Sequence, residues 1–398
     1  MEAIEPRRGG LLRMYSCGPT VCRYAHIGSL RSCLLADLIR RNAEHRHRVT
    51  VLTCQGIADV GHLTDGPAAN GPAANGPAAA EGKTAPGLAT IHEDAFRADC
   101  SALNLRPAEY SPRASDQIGL MIDMIARLIE AGHAYPTSGG SVYFDARSFP
   151  GYGELSGGPV GDLRPGHRSD SQAGGGRRFH ADWALWQGAA EGRELTWPAP
   201  WGSGRPGWDT ECTALSLHCL GDVIDVHAGG IDLRFPHHEN ERAQSNSVTG
   251  HEVVRHWVHA GRLLFDGRTM AGATRNVVLL PRLAGRGLDP LALRLAFLEH
   301  RYRSQMDLTW AALDAADRAL RRWRELVADW ANSPSKPMCA QVTGQIAAAF
   351  DDDLDTPAAL AALRALEHDQ QIPPGSKFET FAYTDQLLGL DLARDVGR

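Results

Sequence analysis

No apolar run in this sequence approaches the roughly 18 residues that a membrane-spanning helix needs, and the opening Met1-Glu2-Ala3-Ile4-Glu5-Pro6-Arg7-Arg8 has no apolar segment of signal-peptide type behind it. No membrane role is expected, and the cytoplasm is the default location. Cysteine lacks the dense, regular spacing of a disulfide framework, the eight residues lying at 17, 22, 33, 54, 100, 212, 219 and 339. Most should be small buried hydrophobes in a reducing compartment. Positive charge is short as well, because a net charge of −6 gives no bulk attraction for phosphate backbones. Any nucleic acid would have to be held by a local basic patch. What the chain does have is size: 398 residues with 43% apolar content supply more than one domain and need no covalent staples.

The most informative stretch is Gly229-Gly230-Ile231-Asp232-Leu233-Arg234-Phe235-Pro236-His237-His238-Glu239-Asn240-Glu241. Pro236 suits a first helical turn, where its missing N–H costs nothing, and this sets His237 and Glu241 four residues apart on one helix face. Two ligands at that spacing need partners. The best candidates are Cys17, in Tyr15-Ser16-Cys17-Gly18-Pro19-Thr20, and Cys212, in Gly207-Trp208-Asp209-Thr210-Glu211-Cys212, each placed at a strand-to-helix turn. Two thiolates, an imidazole and a carboxylate make a zinc set. His238 and Glu239 are read as neighbours of that set rather than members.

Along the chain, Leu11 to Ser16 reads as a buried strand ended by Cys17-Gly18-Pro19, Ile27 to Arg41 as a helix, and His45 to Gly56 as a second strand. Strand, glycine turn, helix, strand opens a mononucleotide-binding α/β unit, with phosphates expected at the helix N-terminus beside His26. The Gly-Pro-Ala-Ala-Asn repeat between 66 and 80 offers only alanine methyls and predicts a mobile loop to about Gly87. Helices are expected over Ile91–Leu103 and Ser115–Ala131 and a strand over Ser141–Asp145, with loop from 150 to 178. The second half resumes with a helix (Cys212–Cys219), a strand (Asp222–Val226), a helix (Pro236–Ser247) and a last strand (Trp257–Phe265). Helical runs follow at 290–300, 309–332, 341–350 and 357–367, the last capped by Thr356. The expected architecture is α/β, a nucleotide-binding domain (1–56 and 207–285) split by an insertion (57–206) and followed by a helical domain (286–398). The arginines at 318, 321, 322 and 324 are read as a solvated helix face, with an RNA-facing stripe the alternative.

Taken together, Tyr15-Ser16-Cys17-Gly18-Pro19-Thr20-Val21, Tyr24-Ala25-His26-Ile27-Gly28-Ser29, Gly204-Arg205-Pro206-Gly207-Trp208 with Glu211-Cys212, and Phe235 to Ser245 resemble the cysteinyl-tRNA synthetase family of class I aminoacyl-tRNA synthetases and its relative, the mycothiol-pathway cysteine ligase. The resemblance runs from about Met14 to Leu392 and implies a Rossmann-type catalytic domain. It implies that Cys17, Cys212, His237 and Glu241 hold Zn2+, which binds the thiolate of substrate cysteine; serine, one atom different, has no good counterpart to that bond. ATP, carried with Mg2+, would meet Thr20, His26, Gly28, Ser29, Gly229, Gly230 and Asp232, with His26 donating to the phosphates. Cysteine would meet Cys17, Gly18, Ala58, Trp208 and His237. Catalysis would fall to His26, Ser29, Arg268 and Met270.

Three departures stand out. Where the family carries KMSKS, this chain reads Gly267-Arg268-Thr269-Met270-Ala271-Gly272-Ala273-Thr274-Arg275-Asn276, without either lysine, so Arg268 and Arg275 are the remaining cations. Gly56-Ile57-Ala58-Asp59 lacks a hydroxyl expected near the amino acid, and Asp209 stands where the family usually has histidine. After Leu392 only six residues remain, where a full synthetase continues into its anticodon-reading module. The resulting expectation is a ligase that activates cysteine as an adenylate and passes it to a small amine or carrier acceptor. Charging of tRNA by a shortened synthetase and a non-catalytic paralogue that binds cysteine or a partner are the alternatives.

Overall fold

The computed structural model describes residue 4 and residues 10–60, 84–158, 176–189, 195–270 and 276–398. The repeat at 66–80 and the stretch from Ala271 to Arg275 lie outside the described residues. The first strand, β1, is Leu11–Thr20. It does not stop at Cys17: the backbone runs on through Gly18 and Pro19, and only the pairing with its neighbour slips between Cys17 and Thr20. Helix α1, Ile27–His45, buries Ile27, Leu30, Leu34, Leu35, Leu38 and Ile39 along one face and runs a turn past the expected end. Strand β2, Thr50–Ala58, then lies parallel to β1.

The next helix, α2, is Ala85–Ala102, six residues earlier than its apolar pattern suggests. The physical reason is local: the Thr84 side chain accepts from Gly87 N as an N-cap, and Pro86 occupies the first turn. The expected loop to Gly87 is corrected to that extent. Helix α3 (Ile118–Glu130) follows, packed beside an antiparallel sheet of β3 (Ala134–Pro136), β4 (Val142–Phe144), β5 (Trp183–Gly188) and β6 (Gly204–Pro206). Phe144, Tyr152 and Trp183 stack at the centre of this layer, with ring centroids 4.4 and 5.2 Å apart.

Helix α4 (Trp208–Leu220) leads into β7 (Ile224–Gly230), helix α5 (Glu239–Thr249) and β8 (Val254–Ala260). All four large strands are parallel in the order β2-β1-β7-β8, so the early and late halves meet side by side in one Rossmann-type sheet. The expected last strand divides: β9 (Leu263–Phe265) turns away and pairs with β10 (Arg268–Thr269) and β11 (Met306–Leu308) in a small separate sheet. The C-terminal region is helical: α6 (Pro290–Leu298), α7 (Trp310–Ala331), α8 (Ala340–Asp351), α9 (Thr356–His368) and α10 (Pro374–Leu388). The cap of α9 is Asp355, whose side chain accepts from Ala358 N, while Thr356 is already helical.

Fully buried Arg294 ties these parts together, donating to Leu388 O at 2.6 Å, Leu103 O at 2.9 Å, Asn104 O at 3.1 Å and Asp37 Oδ2 at 2.6 Å. No helix among the described residues is long and apolar enough to cross a membrane.

Candidate active site

Parallel strands of this type place ligands beyond their carboxyl ends, and the sequence-predicted residues gather there. Cys17 lies near the end of β1 and Cys212 in the second turn of α4, so neither occupies the strand-to-helix turn expected for it. His237 sits in a distorted turn, Arg234–His238, whose Phe235 is non-helical (φ −137°, ψ 132°). A residue before proline is pushed toward extended backbone; the regular helix therefore starts at Glu239, not at Pro236. His237 and Glu241 still meet, with Nε2 3.1 Å from Oε1. Donor atoms of Cys17, Cys212, His237 and Glu241 all lie within 4.8 Å of one another.

His227 on β7 and His238 form a second grouping with Cys17 and Glu241, at 3.5 and 3.4 Å from Cys17 Sγ. The first set fits zinc better. It brings two sulfurs rather than one. Contact with Cys17 pushes the Cys212 thiol down to about 5, against burial and with help from His237, while the same contact and burial push Cys17 up. Burial opposes charge on His237, but Glu241 and Cys212 outweigh it and hold its pKa well above the usual range. Burial keeps His227 and His238 well below it.

Around the quartet the packing is aromatic. Trp208 stacks on His237 with centroids 3.8 Å apart and planes at 20°. His227 stacks on Trp257 at 4.5 Å, and His238 Nδ1 lies 2.9 Å from His259 Nε2. A cavity of about 350 Å³ opens beside Cys17 and is lined also by Gly18, Thr20, His26, Gly28, Ser29, Trp208, Gly230, Asp232 and Met270. His26 caps α1, its Nδ1 accepting from Ser29 N at 3.3 Å. That bond fixes the tautomer: the proton is on Nε2, where it is available to the cavity. Burial and then Arg23 lower the His26 pKa, which keeps the ring a neutral donor.

Other expected residues are placed differently. Ala58 is buried at the end of β2 and does not line this cavity. Gly229 lies outside the lining too; a Cβ there would stand 2.6 Å from the His238 ring, so its bareness makes room for that ring. Arg268 is exposed on β10 away from the lining, and Arg275 lies outside the described residues. Exposed Arg23 and Arg262 are instead the cations that border the cavity. Sequence reasoning missed them, and it missed His227 and His259. The signal for the two histidines was faint, because their strands also carry Asp225 on β7 and Arg255 and His256 on β8.

Residues 3–318 match the family described as the tRNA synthetases class I (C) catalytic domain. A cysteine–tRNA ligase of Thermus thermophilus is 39% identical over 97% of this chain and 81% of its own length. The enzyme of that name from Symbiobacterium thermophilum is 37% identical over 100% of this chain and 84% of its own. Among solved structures, Mycobacterium tuberculosis methionyl-tRNA synthetase bound by methionyl-adenylate superposes with a TM-score of 0.61 at 14% identity, over 95% of this chain and 90% of that one. At that identity the likeness is one of fold.

Proposed function

Because this chain belongs to the cysteinyl-tRNA synthetase family of class I tRNA synthetases, we propose that it is an ATP-dependent ligase that activates cysteine. The observation that carries this reading is the convergence of Cys17, Cys212, His237 and Glu241, with Cys17 lining a cavity that is also lined by His26 at the start of α1. Zinc held by the quartet would supply a Lewis-acid contact to a thiolate, which selects cysteine over serine. Trp208 closes that end of the cavity and keeps water from the thiol. The amino-acid carboxylate attacks the α-phosphorus of ATP and pyrophosphate leaves. His26 Nε2–H donates to phosphate oxygen as its charge grows, and the α1 N-terminus adds its dipole. Gly230 and Asp232 frame the nucleoside, glycine permitting close approach and the carboxylate suiting ribose hydroxyls.

The proposed acceptor is a small amine or carrier, which attacks the acyl carbon and releases AMP. In support, three arginines of the α7 stripe are matched by carboxylates rather than offered to a phosphate backbone: Arg321 by Asp317, Arg322 by Glu367 and Arg324 by Asp289, each at 2.6 Å. The second reading takes tRNA as acceptor and is favoured by the names of the relatives. Cysteine-dependent exchange of pyrophosphate into ATP by the zinc-loaded protein tests activation, and its absence would leave only a cysteine-binding paralogue. Robust charging of total tRNA with labelled cysteine would overturn the small acceptor. Bound metal measured by mass spectrometry should fall in Cys212→Ala; equal zinc in both proteins would remove the metal site.

A further inference from the structure

Resting on the zinc reading above, we infer that Asp209 is a positioning residue: a directed chain of hydrogen bonds from Tyr152 through Asn240 and Asp209 fixes the His237 ring with Nε2 facing the other ligands. The direction follows from donor and acceptor types. Tyr152 OH donates to Asn240 Oδ1 at 2.6 Å, which orients the amide and leaves its Nδ2 to donate to Asp209 Oδ2. A carboxylate can only accept. The remaining oxygen, Oδ1, lies 2.6 Å from His237 Nδ1, so a ring proton stays there and Nε2 is the nitrogen left to exchange its proton for a metal.

Every member is buried, so water does not compete for these bonds. Stacking of Trp208 on the ring removes the remaining freedom to tilt. Tyr152 belongs to the antiparallel-sheet layer, where it stacks on Trp183, whereas Asn240 and His237 belong to the segment after β7. The chain of bonds therefore makes ligand orientation depend on how that layer is seated. It also gives Asp209, one of the sequence's departures, a definite task.

Asparagine at 209 tests this, because it keeps the shape and spoils the direction. Its amide offers one acceptor and one donor to two neighbours that both donate, so either Asn240 loses its partner or His237 must move its proton to Nε2, toward the metal. Zinc dissociation constants, measured on the full chain by competition with a chromophoric chelator, should rise roughly 10- to 100-fold in Asp209→Asn, at least as much as in Asp209→Ala. Long-range proton–nitrogen correlation should show His237 protonated at Nδ1 in the zinc-loaded wild type. A merely structural Asp209 gives the opposite order, with asparagine near wild type and alanine worse; that order, or asparagine within twofold of wild type, overturns the inference. Should Asp209→Asn not fold, Tyr152→Phe, which frees the Asn240 amide to flip, should weaken zinc binding several-fold, and unchanged affinity there overturns it equally. Cys212→Ala separates the two levels: wild-type zinc affinity in that variant defeats the zinc reading itself.

Discussion

On the proposed function His26 has two jobs, which a single substitution can separate. Its Nδ1 caps α1 by accepting from Ser29 N at 3.3 Å, with the backbone extended (φ −88°, ψ 164°) as an N-cap requires. Its Nε2–H would be the donor to phosphate. Asparagine is among the best N-caps, yet its side chain is too short to do both. His26→Asn should therefore hold α1, with stability within about 0.5 kcal/mol of wild type. His26→Ala should lose about 1 kcal/mol. Both should lose the preorganised donor, whose removal typically costs about 2.7–4 kcal/mol of transition-state stabilisation, or roughly 100- to 1,000-fold in rate. Thermal melts read the first effect, and cysteine-dependent pyrophosphate exchange at saturating ATP reads the second. If His26→Asn exchanges within threefold of wild type, the ring is a cap and nothing more. If it melts like His26→Ala, the capping argument is wrong.

Arg294→Met removes a buried cation and strips its donors from Leu388 O and Leu103 O, while Asp37 keeps Arg41 at 2.7 Å and Arg106 N at 3.1 Å. A loss of about 3–5 kcal/mol is expected, seen as a Tm about 4–6 °C lower by calorimetry; a change under about 1 °C would contradict the clamp. Burial raises the Asp99 carboxyl from 3.8 to about 6. The folded state thus holds this proton more tightly than the unfolded chain, and the stability that goes with it is present below 3.8 and lost as pH rises to about 6. Asp99→Asn should accordingly raise Tm more at pH 8 than at pH 5, and equal gains at both would refute the assignment. In Gly18→Ala the new Cβ would stand 2.0 Å from Gly56 O, backbone that cannot yield without parting β1 from β2 beside Cys17. Zinc per chain should drop, and full metal content with an unchanged Tm would show that the strands adapt.

The opening α/β unit was legible because its strands and α1 are buried in regular patterns, and the grouping of Cys17, Cys212, His237 and Glu241 because the four sit in distinctive local contexts. Where the reading failed, the buried face was not written in aliphatic residues. Helix α10 went unseen since its inward side is Gly375, Ser376, Lys377, Thr380, Phe381 and Thr384 before Leu387 and Leu388. Strands β3, β6 and β11 are three residues each, too short for alternation to register. At Pro236 the positional preference of proline was right for a helix start in general, but the extended Phe235 that precedes it delayed the helix. The role of Asp209 was invisible for a different reason: its partners Asn240 and His237 are about thirty residues away, and only folding brings them to it.

The separation of the sheet's two halves along the chain also sets a schedule. Cys17 and Glu241 are 224 residues apart, so at the roughly 5–20 residues per second of synthesis the carboxylate follows the thiol by roughly 11–45 s. Through that interval β1 can pair with β2, but its other edge waits for β7. An open edge beside an unligated thiol is the state in which a nascent chain is most exposed to wrong pairing and oxidation. For a newborn copy of this protein, the centre that would select its substrate cannot form until Glu241 has been made and has emerged.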